Sequence, residues 1–283
     1  MAIVFDGVAY GLQLALLAVG LTMIYGLGGV LNLAHGQFAV IAALAITVFL
    51  DSMPTLAAVA AGVAVATVVA LLTDATIMRA VYRLDGEPRV LLSLLLTIGL
   101  AFVIDGLAVT LFPFTQLNLR VPGTAVPILG VPMRRGSLAA AALALVALVA
   151  LIVFLRFTLR GKAVRSIIQD EEGAQLCGIN PARMRTAVFA LSGALAGLAA
   201  VAEAMTSSLG ASDGTELTIL ALIVTVVGGL GSVAGALLAG LLLGLVYTLS
   251  QVYIGTFVTF VLLLLTAMVT ILIRPSGLLG RGA

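Results

Sequence analysis

Arg160-Gly-Lys-Ala-Val-Arg165-Ser-Ile-Ile-Gln-Asp170-Glu-Glu-Gly-Ala-Gln-Leu-Cys-Gly178-Ile-Asn-Pro181, closed by Arg183 and Arg185, is a polar island in a chain that is otherwise lipid-like. Outward from it, charge almost vanishes. No Asp, Glu, Lys or Arg occurs between Gly7 and Leu50, between Gly136 and Leu155, or between Leu217 and Ile273. Such runs belong in hydrocarbon, where a helix of about 20 apolar residues satisfies its own backbone.

Composition agrees. The 283 residues are 62% hydrophobic and 9% charged, with a mean hydropathy of +1.28, whereas a soluble domain is about a quarter charged. The expected fold is an all-α polytopic transmembrane bundle of roughly eight to ten spans, some short or broken. One membrane domain is expected over 1–283, with a polar loop at 157–184. The formal charge is only +2 and the basic residues flank apolar spans, so they read as topology signals and not as a nucleic-acid surface. One cysteine, Cys177, excludes an internal disulfide, and one histidine, His35, excludes a metal site built from His and Cys alone. The start, Met1 to Asp6, lacks a positively charged leader, so the first apolar run is expected to persist as a helix.

Charge, Pro and clustered Gly interrupt the apolar runs, giving spans near 7–27, 36–50, 55–78, 90–112, 137–156, 185–207, 216–228, 232–250 and 256–273. Basic residues favour cytoplasmic loops. Arg79, Arg83 and Arg89, then Arg156 to Arg185, then Arg274 and Arg281 place those segments inside. The 113–136 loop is then outside, with Pro113, Pro122, Pro127 and Pro132 suiting an extended excursion, although Arg120, Arg134 and Arg135 run against the rule. The amino terminus is expected outside and the carboxyl terminus cytoplasmic. The runs at 36–50 and 216–228 are too short to cross easily and are candidates for half-helices. Both adjoin Gly-rich breaks, Gly28-Gly29 to Gly36 and Gly228-Gly229 to Ala236, which mark either a translocation path or close helix packing.

Within the island, Asp170 suits an N-cap, Glu171 and Glu172 favour the positive end of a short helix, and Gly178 suits its left-handed close. Ile179 is expected to fold back onto that helix, and Pro181 stops it. From these residues alone, an ordinary charged loop and a docking element are both compatible. His35 and Asn32 read as struts or substrate contacts. Glu203 and Asp105 are costly in lipid and must face a cavity, a partner or an interface. Asp74 is expected to pair with Arg79, and Cys177 to pack within the short helix.

Four stretches carry a resemblance. Gly161-Lys-Ala-Val-Arg165-Ser with Asp170, Ala174 and Gly178-Ile179 resembles the cytoplasmic coupling loop of permeases in the branched-chain amino acid ABC importer family. Gly20-Leu-Thr-Met-Ile-Tyr25-Gly26 through Gly29, Asn32-Leu-Ala34-His35-Gly36 resembles that family's amino-terminal signature. Gly228-Gly229-Leu-Gly231-Ser232 to Gly235-Ala236 resembles its late Gly-rich motif, and Arg274-Pro275-Ser-Gly277-Leu278-Leu-Gly280 its ending. Departures are Lys162, where Arg is frequent, Ser166, where Ala is frequent, and Leu33, where an aromatic residue is common.

The resemblance implies a bacterial inner-membrane subunit forming half of a path for branched-chain amino acids or a similar small polar solute. Its implied partners are a second related permease, two cytoplasmic ATPase subunits and an extracytoplasmic solute-binding protein. It implies an ATPase-coupling set of Arg165, Asp170, Glu171, Glu172, Ala174, Gly178 and Ile179, and a pathway set of Asn32, His35, Gly228, Gly229 and Ser232. The chain itself is expected to hold no cofactor and no catalytic site, with ATP and Mg on the partners. Gly161-Lys162 is no phosphate loop, since Ala163 follows it and Arg156 stands where the first Gly belongs. Two other readings are an ion-coupled secondary transporter, with Glu203 or Asp105 carrying the proton, and a passive channel whose half-helices meet at the Gly-rich breaks.

Overall fold

A computed structural model describes residues 2–123, 125–128 and 131–280. The chain is a polytopic helical bundle: α1 (Ala2–Gly28), α2 (His35–Leu50), α3 (Thr55–Thr73), a π turn (Asp74–Met78) running into α4 (Arg79–Val81), and α5 (Glu87–Leu111). Then come α6 (Arg135–Phe157), α7 (Leu159–Gln169), α8 (Glu171–Leu176), α9 (Pro181–Thr206), α10 (Gly214–Gly228), α11 (Val233–Tyr253) and α12 (Thr256–Ile273). Among the described residues, seven helical segments are long and apolar enough to cross a membrane, while α2 and α10 are the short apolar pair. The nine expected spans correspond to these seven and two. Arg281 lies outside the described residues.

The bundle has two distinct ends. At the first, which we call the island end, α7 and α8 lie with the last turns of α1 and α4 and the first turns of α5 and α9. The other, the hairpin end, carries antiparallel β2 (Val126–Ile128) and β3 (Val131–Met133), and β1 (Gln116–Leu117) paired with β4 (Leu209–Gly210). Leu119 N–H donates to Ala204 O (2.8 Å), which ties this loop to the end of α9. The Pro-rich loop is therefore anchored by short ladders, whose turn signals its sequence does not advertise.

Small residues set the closest helix approach. Along α1 and α11, a Cβ on Gly244 would lie 2.2 Å from Gly11 Cα, and one on Gly240 would lie 2.7 Å from Ala15 Cβ. Lipid supplies no hydrophobic drive between helices, so such backbone proximity and its dispersion contacts do the joining. At the island end, Leu278 N–H and Leu279 N–H donate to Val227 O and Gly228 O (2.9 and 3.1 Å). The carboxyl-terminal motif thus satisfies carbonyls that α10 leaves orphaned at its last turn.

Between α1 and α2 the chain is not helical. Asn32 at its middle is fully buried, so its backbone groups need partners from protein. Leu31 N–H donates to Ser93 Oγ (3.2 Å) and Leu33 N–H to Thr97 Oγ1 (3.0 Å), both on α5. Asn32 Oδ1 accepts from Ala34 N–H (3.1 Å), a local turn that leads into α2. Two expectations fail here and nearby. Asp74 does not pair with Arg79: it is buried at 2% exposure and accepts the Thr186 hydroxyl (2.5 Å), while Arg79 stays exposed. The π turn that begins at Asp74 sets that direction. Cys177 does not pack within α8 but is exposed at its C-cap.

Candidate functional site: an island-end clamp and a hairpin-end cavity

Helix α7 precedes the island's short helix and was not legible as a helix. Thr158 caps it, its Oγ1 accepting from Gly161 N–H (3.0 Å). Gly161 lets α7 fold back on α6, because a Cβ there would meet Phe154 O at 2.2 Å. Gly161, Val164 and Ile167 bury one face. That three-residue spacing, with the Thr cap, is the signal that marks it. Arg165 is exposed on the outer side, with Nη2 3.5 Å from Arg156 O.

Helix α8 follows at once. Asp170 Oδ1 accepts from Gly173 N–H (3.0 Å) at its start. At its end Gly178 N–H donates to Gln175 O (2.9 Å) and Ile179 N–H to Ala174 O (3.0 Å), with Gly178 at φ 82°. That paired closure is a Schellman motif, and its left-handed residue is a glycine because a Cβ is penalised there. Ala174 faces inward at 4% exposure, Glu172 is exposed, and Leu176 stands 91% exposed at the tip.

Glu171 points the other way. Both its oxygens accept from Arg185 Nη2 (2.8 and 2.7 Å) on the first turn of α9, a charge-assisted pair whose arginine is buried. The same guanidinium donates through Nε to Leu27 O (3.4 Å) and lies 4.6 Å above the Tyr82 ring. Burial pushes the Tyr82 phenol well above its usual value. In linear order Arg185 is only one of the basic residues that place its segment inside, since nothing there pairs it with Glu171, Leu27 and Tyr82.

The Gly-rich breaks converge at the same end. A Cβ on Gly26 would lie 3.0 Å from Gly231 Cα, and Gly228 abuts Gly235. Ser232 Oγ caps α11 by accepting from Gly235 N–H (3.1 Å), and Gly229 takes φ 103° beside Gly277 and Gly280. Gly228, Gly229 and Ser232 therefore sit in a packed seam away from His35. His35 is fully buried, donating from Nε2 to Leu17 O (3.0 Å), which leaves Nδ1 to accept from Ser192 Oγ (3.3 Å). Asn32 Nδ2 has no hydrogen-bond partner.

The two short helices meet at their N-terminal ends, not at the glycine breaks that follow α1 and α10. A Cβ on Gly36 would sit 2.1 Å from Gly214 O, and Gly36 N–H donates to Thr218 Oγ1 (2.9 Å). Asp105 joins them, accepting from Gln37 Nε2 (3.2 Å) and Thr215 Oγ1 (2.9 Å). Its carboxylate lies where the positive ends of two half-helices converge, which accounts for its cost in an apolar span.

At the hairpin end a polar cavity of about 450 Å³ opens between α1, α9, α10 and α11. Asp6, Tyr10, Gln13, Arg134, Glu203, Asp213, Glu216 and Tyr247 line it. Tyr10 and Tyr247 stack with ring centroids 4.5 Å apart, and Glu203 accepts the Ser207 hydroxyl. A separate void of about 10 Å³ lies among Leu14, Leu17, Ala39 and Leu217 and shares Tyr10, Gln13 and Glu203 with the cavity's lining. Leu17 is the residue whose carbonyl holds His35. Glu203, expected to face a cavity, a partner or an interface, lines this cavity, whereas Tyr10, Gln13, Glu216 and Tyr247 carry no such expectation from sequence. Polar Gln13 and Glu216 in apolar segments were the available signal.

The sequence model of the family described as "Branched-chain amino acid transport system / permease component" matches residues 3–273. The chain belongs to this family. Among its relatives, the high-affinity branched-chain amino acid transport system permease protein LivH of Escherichia coli is 30% identical, covering 98% of this chain and 94% of its own length. The counterpart BraD of Pseudomonas aeruginosa is 33% identical, with the same shares covered. A probable LivH of Methanocaldococcus jannaschii is 26% identical over 96% of this chain and 90% of its own. This permease is thus a multi-pass membrane transport component.

Proposed function

We propose that this permease is the membrane-spanning subunit of an ATP-driven importer, and that it forms half of the path for branched-chain amino acids or a similar small polar solute. It pairs with a second related permease. Two cytoplasmic ATPase subunits, which carry ATP and Mg, dock on α8, and an extracytoplasmic solute-binding protein delivers solute at the hairpin end. The protein lies in the bacterial inner membrane with its amino terminus outside and carboxyl terminus cytoplasmic.

One observation carries the reading: α8 is closed at both ends and stapled to α9 by the Glu171–Arg185 pair, yet offers Glu172 and Leu176 outward. A connecting loop needs no such rigidity, whereas a lever does. Orientation follows from charge: Arg79, Arg83, Arg156, Arg160, Lys162 and Arg165 cluster at the island end, and cytoplasmic segments collect basic residues. The polar cavity lies at the opposite end, among Tyr10, Gln13, Glu203 and Glu216, which supports entry of solute from that side in an alternating-access cycle.

The test is uptake and ATP hydrolysis by the complete complex in lipid vesicles. Leu176→Asp and Glu172→Lys change only exposed side chains, so the fold is expected to stand while the ATPase subunits no longer copurify and uptake is lost. Full uptake in both variants removes the docking role. Uptake by this chain alone, indifferent to ATP and abolished by an uncoupler, points instead to ion-coupled transport. Downhill flux without an ATPase points to a channel.

A further inference from the structure

Helix α8 has six residues, and only Ala174 of them is buried, so its own packing holds it weakly to the membrane helices. Its charged attachment is the pair in which Arg185 Nη2 donates to both oxygens of Glu171, and the Arg185 side chain is 9% exposed. Arg185 does more than hold α8. It donates to the carbonyl of Leu27, one of the groups that the end of α1 leaves without an intrahelical partner. It also covers the face of Tyr82, and the Tyr82 ring fills the space that a side chain at Gly28 would need, 2.9 Å from a Cβ there. Gly29 follows at φ 59°, and the non-helical segment then runs inward to Asn32 and His35.

From this arrangement we infer that Arg185 is a positioning residue that relays displacement of α8 to the break in α1 at Gly28–Gly29, and thereby to the segment leading to His35. The inference rests on the docking role proposed above for α8. The planar guanidinium suits the task because its fork of donors engages a carboxylate, a carbonyl and an aromatic face at once. A lysine keeps the charge but is a point donor and cannot hold all three. Coupling of this kind needs a physical element biased from both sides, and the α1 break, gripped by Arg185 at Leu27 and by Arg89 Nη1 at Gly28 O (3.3 Å), is such an element.

The experiment is hydrogen exchange measured by mass spectrometry on the full complex in lipid, with and without Mg and a non-hydrolysable ATP analogue. In the native complex, nucleotide is expected to shift exchange on the order of fivefold both in residues 171–178 and in residues 27–34. In Arg185→Lys and Glu171→Gln the shift at 171–178 is expected to persist and that at 27–34 to disappear. Glu171→Gln removes the charge from the α8 side of the pair and leaves Arg185 on Leu27 and Tyr82, so it decides the matter if Arg185→Lys fails to assemble. A shift at 27–34 that survives in the variants overturns the relay. So does a native complex that responds at 171–178 but not at 27–34, and in that case the docking role stands. A native complex that responds at neither segment sinks the docking role and the relay together.

Discussion

Removing the hydroxyl of Thr97 tests how this protein tolerates irregular backbone in its interior. Leu33 N–H has Thr97 Oγ1 as its acceptor (3.0 Å), and Leu31 N–H has Ser93 Oγ (3.2 Å). Ser93 and Thr97 are both fully buried, so water cannot replace them. Thr97→Val preserves branching and deletes the hydroxyl, which accepts from Leu33 N–H and donates to Ser93 O (2.7 Å), and leaving that amide unsatisfied costs about 1–3 kcal/mol. Ser93→Ala is expected to cost a similar amount. Together they should give less than the sum, because the two side chains are one helical turn apart and brace the same segment. Thr97→Ser keeps the oxygen and is expected to stay within about 0.5 kcal/mol of native. The assay is the folded fraction in mixed micelles titrated with sodium dodecyl sulfate. Thr97→Val indistinguishable from native, or Thr97→Ser losing as much as Thr97→Val, would refute the argument that α5 hydroxyls hold the break.

Asp105→Ala removes the acceptor that Gln37 Nε2 and Thr215 Oγ1 share at the meeting point of α2 and α10, leaving Gln37 Nε2 only its longer bond to Thr215 Oγ1 (3.5 Å), and should cost about 1 kcal/mol in the same titration; Asp105→Asn, which keeps one acceptor oxygen, should lose less. Gly240→Val drives a branched side chain into Ala15, where even a Cβ lies 2.7 Å from its neighbour, and overpacking of about 1–3 kcal/mol is expected, read as a lower detergent midpoint; a native midpoint would mean that α1 and α11 can separate freely. Gly229→Val places a β-branched residue at φ 103° and crowds Ser276 O, 2.5 Å from its Cβ. Protease cleavage near Arg274 is expected to accelerate as the tail detaches, and unchanged cleavage would remove its role in closing α10.

The composition settled the bundle, because long charge-free runs have one economical solution in lipid: helices that satisfy their own backbone. Span boundaries were legible for a related reason. Asp170, Gly178, Pro181 and the glycine pairs act locally, through capping and backbone freedom, and local rules can be read in order along the chain. Helix α7 has a weaker local signature, since three buried positions, Gly161, Val164 and Ile167, and the Thr158 cap lie among charges that a solvated loop would also carry. What linear order does not hold is which polar groups find each other across the bundle. Asp74 chose Thr186 over its near neighbour Arg79, and Asp105 chose partners 68 and 110 residues away. Arg185 gathered Glu171, Leu27 and Tyr82 into one clamp. Burial favours a partner for most polar groups, but the identity of that partner depends on helix rotation and tilt, and those are set by close packing of glycines and small side chains that look alike in sequence. Hydrophobicity determined that the chain crosses a membrane; only tertiary packing decided where its force-bearing contacts lie.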